Sequence, residues 1–184
     1  MTRSLLSFLI ALVLLPVAAH AEIERTPNGC GDGCTTWWPK LTMPVGWVQD
    51  HATSVQDNLN FLVPKDQPAS DNSVFMYATA TMVTDPSSKL DDFVVADMTS
   101  FYRRDPDMKT TEQPALITAD GQSLQVYSFD PGKPDGRWEA AAYGTETDAD
   151  GTLYFVTFVV SGVDQAHRDG AMAAFRGIIL NYRK

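Results

Sequence analysis

Side chains able to carry chemistry are few and widely spaced. The 184 residues contain three histidines, His20, His51 and His167. A serine nucleophile needs a base within hydrogen-bond reach and a third group to orient that base. The nearest set is Ser161, Asp164, His167 and Asp169, in which Asp164 and His167 would share a helix face. The same residues also read as a helix N-cap followed by a solvated first turn. That reading is favoured, because no G-x-S-x-G elbow accompanies them. Glu146-Thr147-Asp148-Ala149-Asp150-Gly151 imitates the start of a calcium loop. Its twelfth position is Thr157, inside a strand-like run, so the most demanding ligand is missing and a hairpin turn is the better reading. Asp91-Asp92 and Asp105-Pro106-Asp107 read as helix surface and turn. A paired-carboxylate hydrolase needs two acids converging across a cleft, which spacing alone does not supply. Gly29, Gly31 and Gly33 precede no helix and enclose the acidic Asp32, unlike a phosphate-binding loop. No catalytic residue, metal ligand or cofactor is therefore expected.

The two cysteines, Cys30 and Cys34, lie in a polar, Gly-rich stretch. Their spacing is C-x3-C rather than the C-x-x-C of a redox helix start, and a local disulfide is expected of an exported chain. Thr35-Thr36-Trp37-Trp38-Pro39 follows. Adjacent tryptophans on an extended chain point to opposite sides, so one core does not readily bury both. One reading has a tryptophan packed and the other covering the domain edge. The other makes Trp37 and Trp38 an exposed aromatic contact for a partner.

The elements that must position these residues begin after a leader. Residues 1–21 read as an export signal: Arg3, an apolar run from Leu5 to Val17, and Ala19-His20-Ala21 as the cleavage site. The run is too short to favour a membrane anchor, and no later segment would insert. Residues 22–40 form the irregular lead and 41–184 a single domain of ordinary size. The formal net charge of −9 becomes one unit more negative when Arg3 leaves with the leader. Such a surface is repelled by nucleic acid and anionic lipid, and its simplest consequence is solubility.

Leu153 to Val160 is the strongest strand signal, with apolar residues on both faces, and belongs at the centre of a sheet under helices. Trp138 to Gly144 pairs with it across the turn 148–151. Upstream, strands are expected at Leu41–Val48, Val55–Val63 and Val74–Val83. A helix follows, with Leu90, Phe93, Val94, Met98 and Phe101 on one stripe and Arg103-Arg104 at its end. Asp120-Gly121 joins Ala115–Ala119 to Gln122–Phe129 as a hairpin. A final helix presents Ala166, Ala173, Phe175, Ile178, Ile179 and Tyr182 to the sheet, with Gly170 and Gly177 as positions of close approach. Strands, helix, strands, helix without regular βαβ alternation gives an α+β fold, an antiparallel sheet packed against helices.

Leu41-Thr42-Met43-Pro44-Val45-Gly46-Trp47, Lys89-Leu90-Asp91-Asp92-Phe93, and Tyr154-Phe155-Val156-Thr157-Phe158 running into a C-terminal helix together resemble the PsbP-like α/β/α sandwich fold. That group includes the oxygen-evolving PsbP subunit and the periplasmic DcrB proteins. The resemblance covers roughly residues 41–184. It implies a non-catalytic domain that binds or stabilises another protein, and it transfers no functional residue. DcrB-type proteins are usually lipid-anchored, whereas Glu22, not Cys, follows the expected cleavage site here.

The first functional reading is thus an exported domain, periplasmic or secreted, that binds an envelope protein partner through Trp37 and Trp38. The alternatives are a hydrolase using His167 or clustered carboxylates, and a carrier with an apolar pocket under the sheet. The cysteine pair gives the first prediction. A free-thiol assay on denatured, unreduced mature protein should read near zero, and two thiols per chain would show that Cys30 and Cys34 are not joined.

Overall fold

The computed structural model describes residues 22–27, 35–67 and 71–183. The leader and both cysteines lie outside them. The elements in chain order are β1 (Ile23–Pro27), β2 (Thr35–Pro39), β3 (Trp47–Gln49), α1 (His51–Asp57), β4 (Asn60–Pro64), β5 (Val74–Met82), α2 (Leu90–Arg104), β6 (Lys109–Ile117), β7 (Ser123–Asp130), β8 (Trp138–Thr147), β9 (Leu153–Gly162) and α3 (Gln165–Leu180). Seven strands form one antiparallel sheet in the order β3-β4-β5-β9-β8-β7-β6, and β1 pairs with β2 in a separate hairpin. The α+β expectation holds.

Strand β9 lies at the middle, between β5 and β8. Alternation sends Tyr154, Val156, Phe158 and Val160 to one face, where they meet Phe175, Ile178, Ile179 and Tyr182 from α3 and its end. Val159 points the other way, into a second cluster with Val94 and Phe101 of α2. Phe155 shares that face, its ring 5.0 Å from Phe93. The helices therefore cover opposite faces, giving three layers. All five residues expected on the α2 stripe pack in this second cluster.

Several boundaries differ from expectation. The run Val55–Val63 is not one strand. Its first part belongs to α1, because the Asp50 carboxylate accepts both the N–H (3.1 Å) and the hydroxyl (2.8 Å) of Thr53, an N-cap that outweighs weak alternation. Asn58, at φ 54°, then ends the helix in a left-handed conformation before β4. Of Leu41–Val48 only the end is strand, because Pro44 to Trp47 is a turn closed by a 3.1 Å backbone bond, with Gly46 at φ 81°. The lead is not irregular where it is described. Ile23 enters the main core, and Trp37 and Leu41 pack against it. On α3, Ala166 and Ala173 are exposed, and Arg168 and Ala171 face inward instead.

Gly170 and Gly177 are not close-approach positions, since a Cβ at either would meet nothing within 4 Å. The glycine that permits approach is Gly162. A Cβ there would lie 2.5 Å from the Arg168 nitrogen and 2.9 Å from the Asp164 oxygen. The first turn of α3 therefore rests directly on the end of β9.

Phe155 and Phe158 are 6% and 2% exposed, one on each face. Replacing either by Ala should cost about 3–5 kcal/mol, measured as a shift in urea unfolding. A variant that unfolds with the parent would show that its face of the sheet contributes little.

Candidate functional site

A concavity lies between α3 and the β6 end of the sheet. Pairing of β6 with β7 runs from Lys109↔Asp130 to Gln113↔Val126, then resumes at Leu116↔Leu124. Two residues, Pro114 and Ala115, thus stand opposite Gln125 alone, which is a β-bulge. Pro114 has no N–H to donate and favours such an irregularity on an edge strand. The bulged segment lines a groove of about 450 Å³. Val126, Ser128 and Ala140 form its floor, Leu116 a wall, and Arg168, Asp169, Met172 and Arg176 the side contributed by α3. Its volume falls within the range of small-molecule sites.

Arg168 anchors the groove. Its side chain is only 10% exposed. Nη1 donates to Asp130 (2.9 Å) and Nε to Asp169 (3.0 Å), while Nη2 lies 2.9 Å from the same Asp169 oxygen. The guanidinium also sits 5.3 Å from the centre of the Trp138 ring. Two carboxylates and an aromatic face hold it in one orientation, as a planar guanidinium allows. Across the groove, the Gln113 amide donates to the Ser128 hydroxyl at 3.1 Å. Arg176 is exposed and forms no ion pair among the described residues.

On the α2 face a smaller cleft of about 220 Å³ is lined by Arg104, Asp105, Lys133, Arg137 and Glu139, among others. Three acids, Asp105, Asp135 and Glu139, line this cleft, and two of them are engaged within the fold. Asp105 accepts the backbone N–H of Gly132 (2.8 Å) and Lys133 (3.2 Å), bracing the end of α2 against the β7–β8 loop. Glu139 accepts the Ser161 hydroxyl at 2.7 Å, and that hydroxyl accepts Arg137 Nε at 2.6 Å. Burial pushes the Glu139 carboxyl above its ordinary 4.5, against the opposing pull of Ser161. Nearby, Tyr143 donates to Asp97 at 2.7 Å, so Asp97 faces the sheet.

The residues singled out from sequence do not assemble into one site. His167 Nδ1 lies 2.7 Å from the Asp164 carboxylate, and its backbone N–H donates to the same oxygen at 2.8 Å. Both side chains are exposed, and Asp164 is the N-cap of α3. Ser161 is engaged with Glu139 and Arg137 instead. Asp148 and Asp150 ligate Arg25 of β1, at 2.8 and 2.9 Å. Bonds from Thr152 and Arg25 pull Asp150 down to about 2. Glu146 is buried and accepts the Tyr182 hydroxyl at 3.1 Å. Among the described residues no group of three or more His, Cys, Asp or Glu could hold a metal ion, and no helix is long and apolar enough to cross a membrane.

Trp38 is 1% exposed, its ring edge-on to His51 at 6.5 Å and its Nε1 donating to Glu24 at 3.3 Å. That corrects the expectation of a two-tryptophan contact surface: the β1–β2 hairpin encloses Trp38, so it has no face to offer. Trp37 is half-buried and donates to the Ala80 carbonyl at 3.0 Å. The groove residues were missed in the sequence. Two signals could have found them: Pro114 inside a strand-like run, and Arg168 in the apolar stripe Ala171, Phe175, Ile178 and Tyr182.

Glu139 gives a pH prediction. A carboxyl raised by burial favours the fold below its ordinary 4.5 and withdraws that contribution as pH rises through the raised value. Glu139→Gln keeps an acceptor for Ser161 without the charge. Its unfolding free energy should gain on the parent as pH climbs from about 4.5 to 8. A difference that stays constant over that range would show that Glu139 titrates alike in both states.

No family model and no curated protein matches this chain. Among solved structures, the crystal structure of LpqN, described as involved in cell envelope biogenesis of Mycobacterium tuberculosis, superposes with a TM-score of 0.52. The match covers 85% of this chain and 87% of that one at 18% identity. At that identity the similarity is one of fold.

Proposed function

We propose that this chain is an exported binding domain of the cell envelope that performs no bond-making chemistry and holds its ligand in the groove between α3 and β6. The observation that carries this reading is the groove itself, about 450 Å³ with an apolar floor and a buried, doubly paired arginine at one side. Apolar lining with a few fixed polar groups suits binding and orientation. The leader expected at residues 1–21 and the envelope role given for LpqN support the location. His167, Asp105 and Glu139 are engaged in capping, bracing and pairing within the fold. A protein partner in the envelope is the second reading, favoured by Trp37, which is only half-buried.

The test uses N-phenyl-1-naphthylamine, a neutral fluorescent apolar probe, and the variant Met172→Trp, which fills the groove from its half-buried α3 side. The parent should bind the probe saturably with one site per chain. The variant should keep its circular dichroism and melting temperature yet lose that binding. Undiminished binding in a folded variant would remove the groove as the ligand site. Loss of envelope partners in a pull-down with Trp37→Ala, with probe binding intact, would favour the second reading.

A further inference from the structure

We infer that the occupant of the groove is a single-chain aliphatic acid, its carboxylate held by Arg176 and Arg168 and its hydrocarbon laid over Leu116, Val126 and Met172. This rests on the groove being the ligand site. The first argument is the balance of unused polar groups. A guanidinium has five N–H donors, and Asp130 and Asp169 engage three of those on Arg168, leaving two. Arg176 has no ion-pair partner among the described residues. On the acceptor side, Asp169 receives Arg168 on Oδ1, and the Ser128 hydroxyl accepts from Gln113. Arg176 and the two unused Arg168 donors are the groups there that complement an anion.

The second argument is contrast with the rest of the chain. The net charge is −9, and at the groove Asp130 and Asp169 offset Arg168, so Arg176 stands there as a cation that no carboxylate among the described residues pairs. An acid is repelled by the general surface, and Arg176 offers it one cation at the groove. A guanidinium fork matches a planar carboxylate in two parallel bonds. The third argument is the walls. No aromatic ring lines the groove, so there is no platform for a sugar face or a base, whereas Leu116, Val126 and Met172 offer aliphatic surface. A compact inorganic anion would leave that surface unused.

Dodecanoate, dodecan-1-ol, dodecyltrimethylammonium and inorganic phosphate would each be titrated against the naphthylamine-loaded parent, mature and full length. Dodecanoate should displace the probe at least tenfold more tightly than dodecanol. The ammonium compound and phosphate should displace it least. Arg176→Gln removes a charge that braces nothing in the fold. It should weaken dodecanoate about tenfold, the loss of one charge-assisted contact, and leave dodecanol unchanged. High salt should narrow the difference between acid and alcohol in the parent. Equal displacement by acid and alcohol, or an Arg176→Gln variant that binds dodecanoate like the parent, would overturn the acid while leaving the groove intact. Failure of every amphiphile to displace the probe would overturn the groove as well.

Discussion

Strand β9 carries large apolar side chains on both faces, and neither face can be left to water. Tyr154, Val156, Phe158 and Val160 require one cover; Phe155 and Val159 require another. That constraint places β9 between β5 and β8, puts a helix over each side of the sheet, and fixes the layer order. The N-terminal hairpin extends the cover given by α3. Arg25 ties it to the β8–β9 turn through Asp148, Asp150 and the Tyr154 hydroxyl, the last at 3.1 Å.

The groove is a by-product of the same arrangement. Helix α3 is centred on β9, where Gly162 admits its first turn. The sheet continues past the helix through β8 and β7 to β6, and the twist and bulge of an edge strand leave space there. Alanine at position 140 of β8 leaves more, since nothing longer rises from the floor towards Met172. Arg168 is the one charged residue that the stripe of α3 brings inward, and burying it without partners would be unfavourable by several kcal/mol. Asp130 and Asp169 supply them. The price of that rigidity is met within α3 and the end of β7, which leaves Arg176 free of structural duty.

Much of the architecture was legible in the sequence because it rests on periodicity. The two-faced run of β9, the 3.6-residue stripe of α2, and the Asp120-Gly121 turn each follow from local pattern. The α1 helix was hidden because seven residues give too little periodicity to outweigh the neighbouring β4 alternation, and its decisive signal was a single capping aspartate. The β1–β2 hairpin was hidden because its partners, Ala80, Asn58 and Asp148, lie far along the chain. Trp38 is buried beside His51 of α1, and Glu24 of the paired strand β1 accepts from its indole, contacts no local rule predicts. The candidate site was least legible of all. It joins β6, β7, β8 and α3, and only the outliers Pro114 and Arg168 marked it in advance.

The irregularity at Pro114 and Ala115 has a second effect. Strand β6 ends the sheet, and among the described residues no strand pairs with its outer backbone groups. A regular edge of nine residues would be a template for adding a strand from another molecule. Here the missing N–H of Pro114 and the bulge interrupt that row near its middle, and Lys109 and Glu112 place charge along it. The feature that opens a cavity on one side thus guards against self-association on the other. A substitution that straightened β6 would be felt first as aggregation during folding, before any loss of ligand.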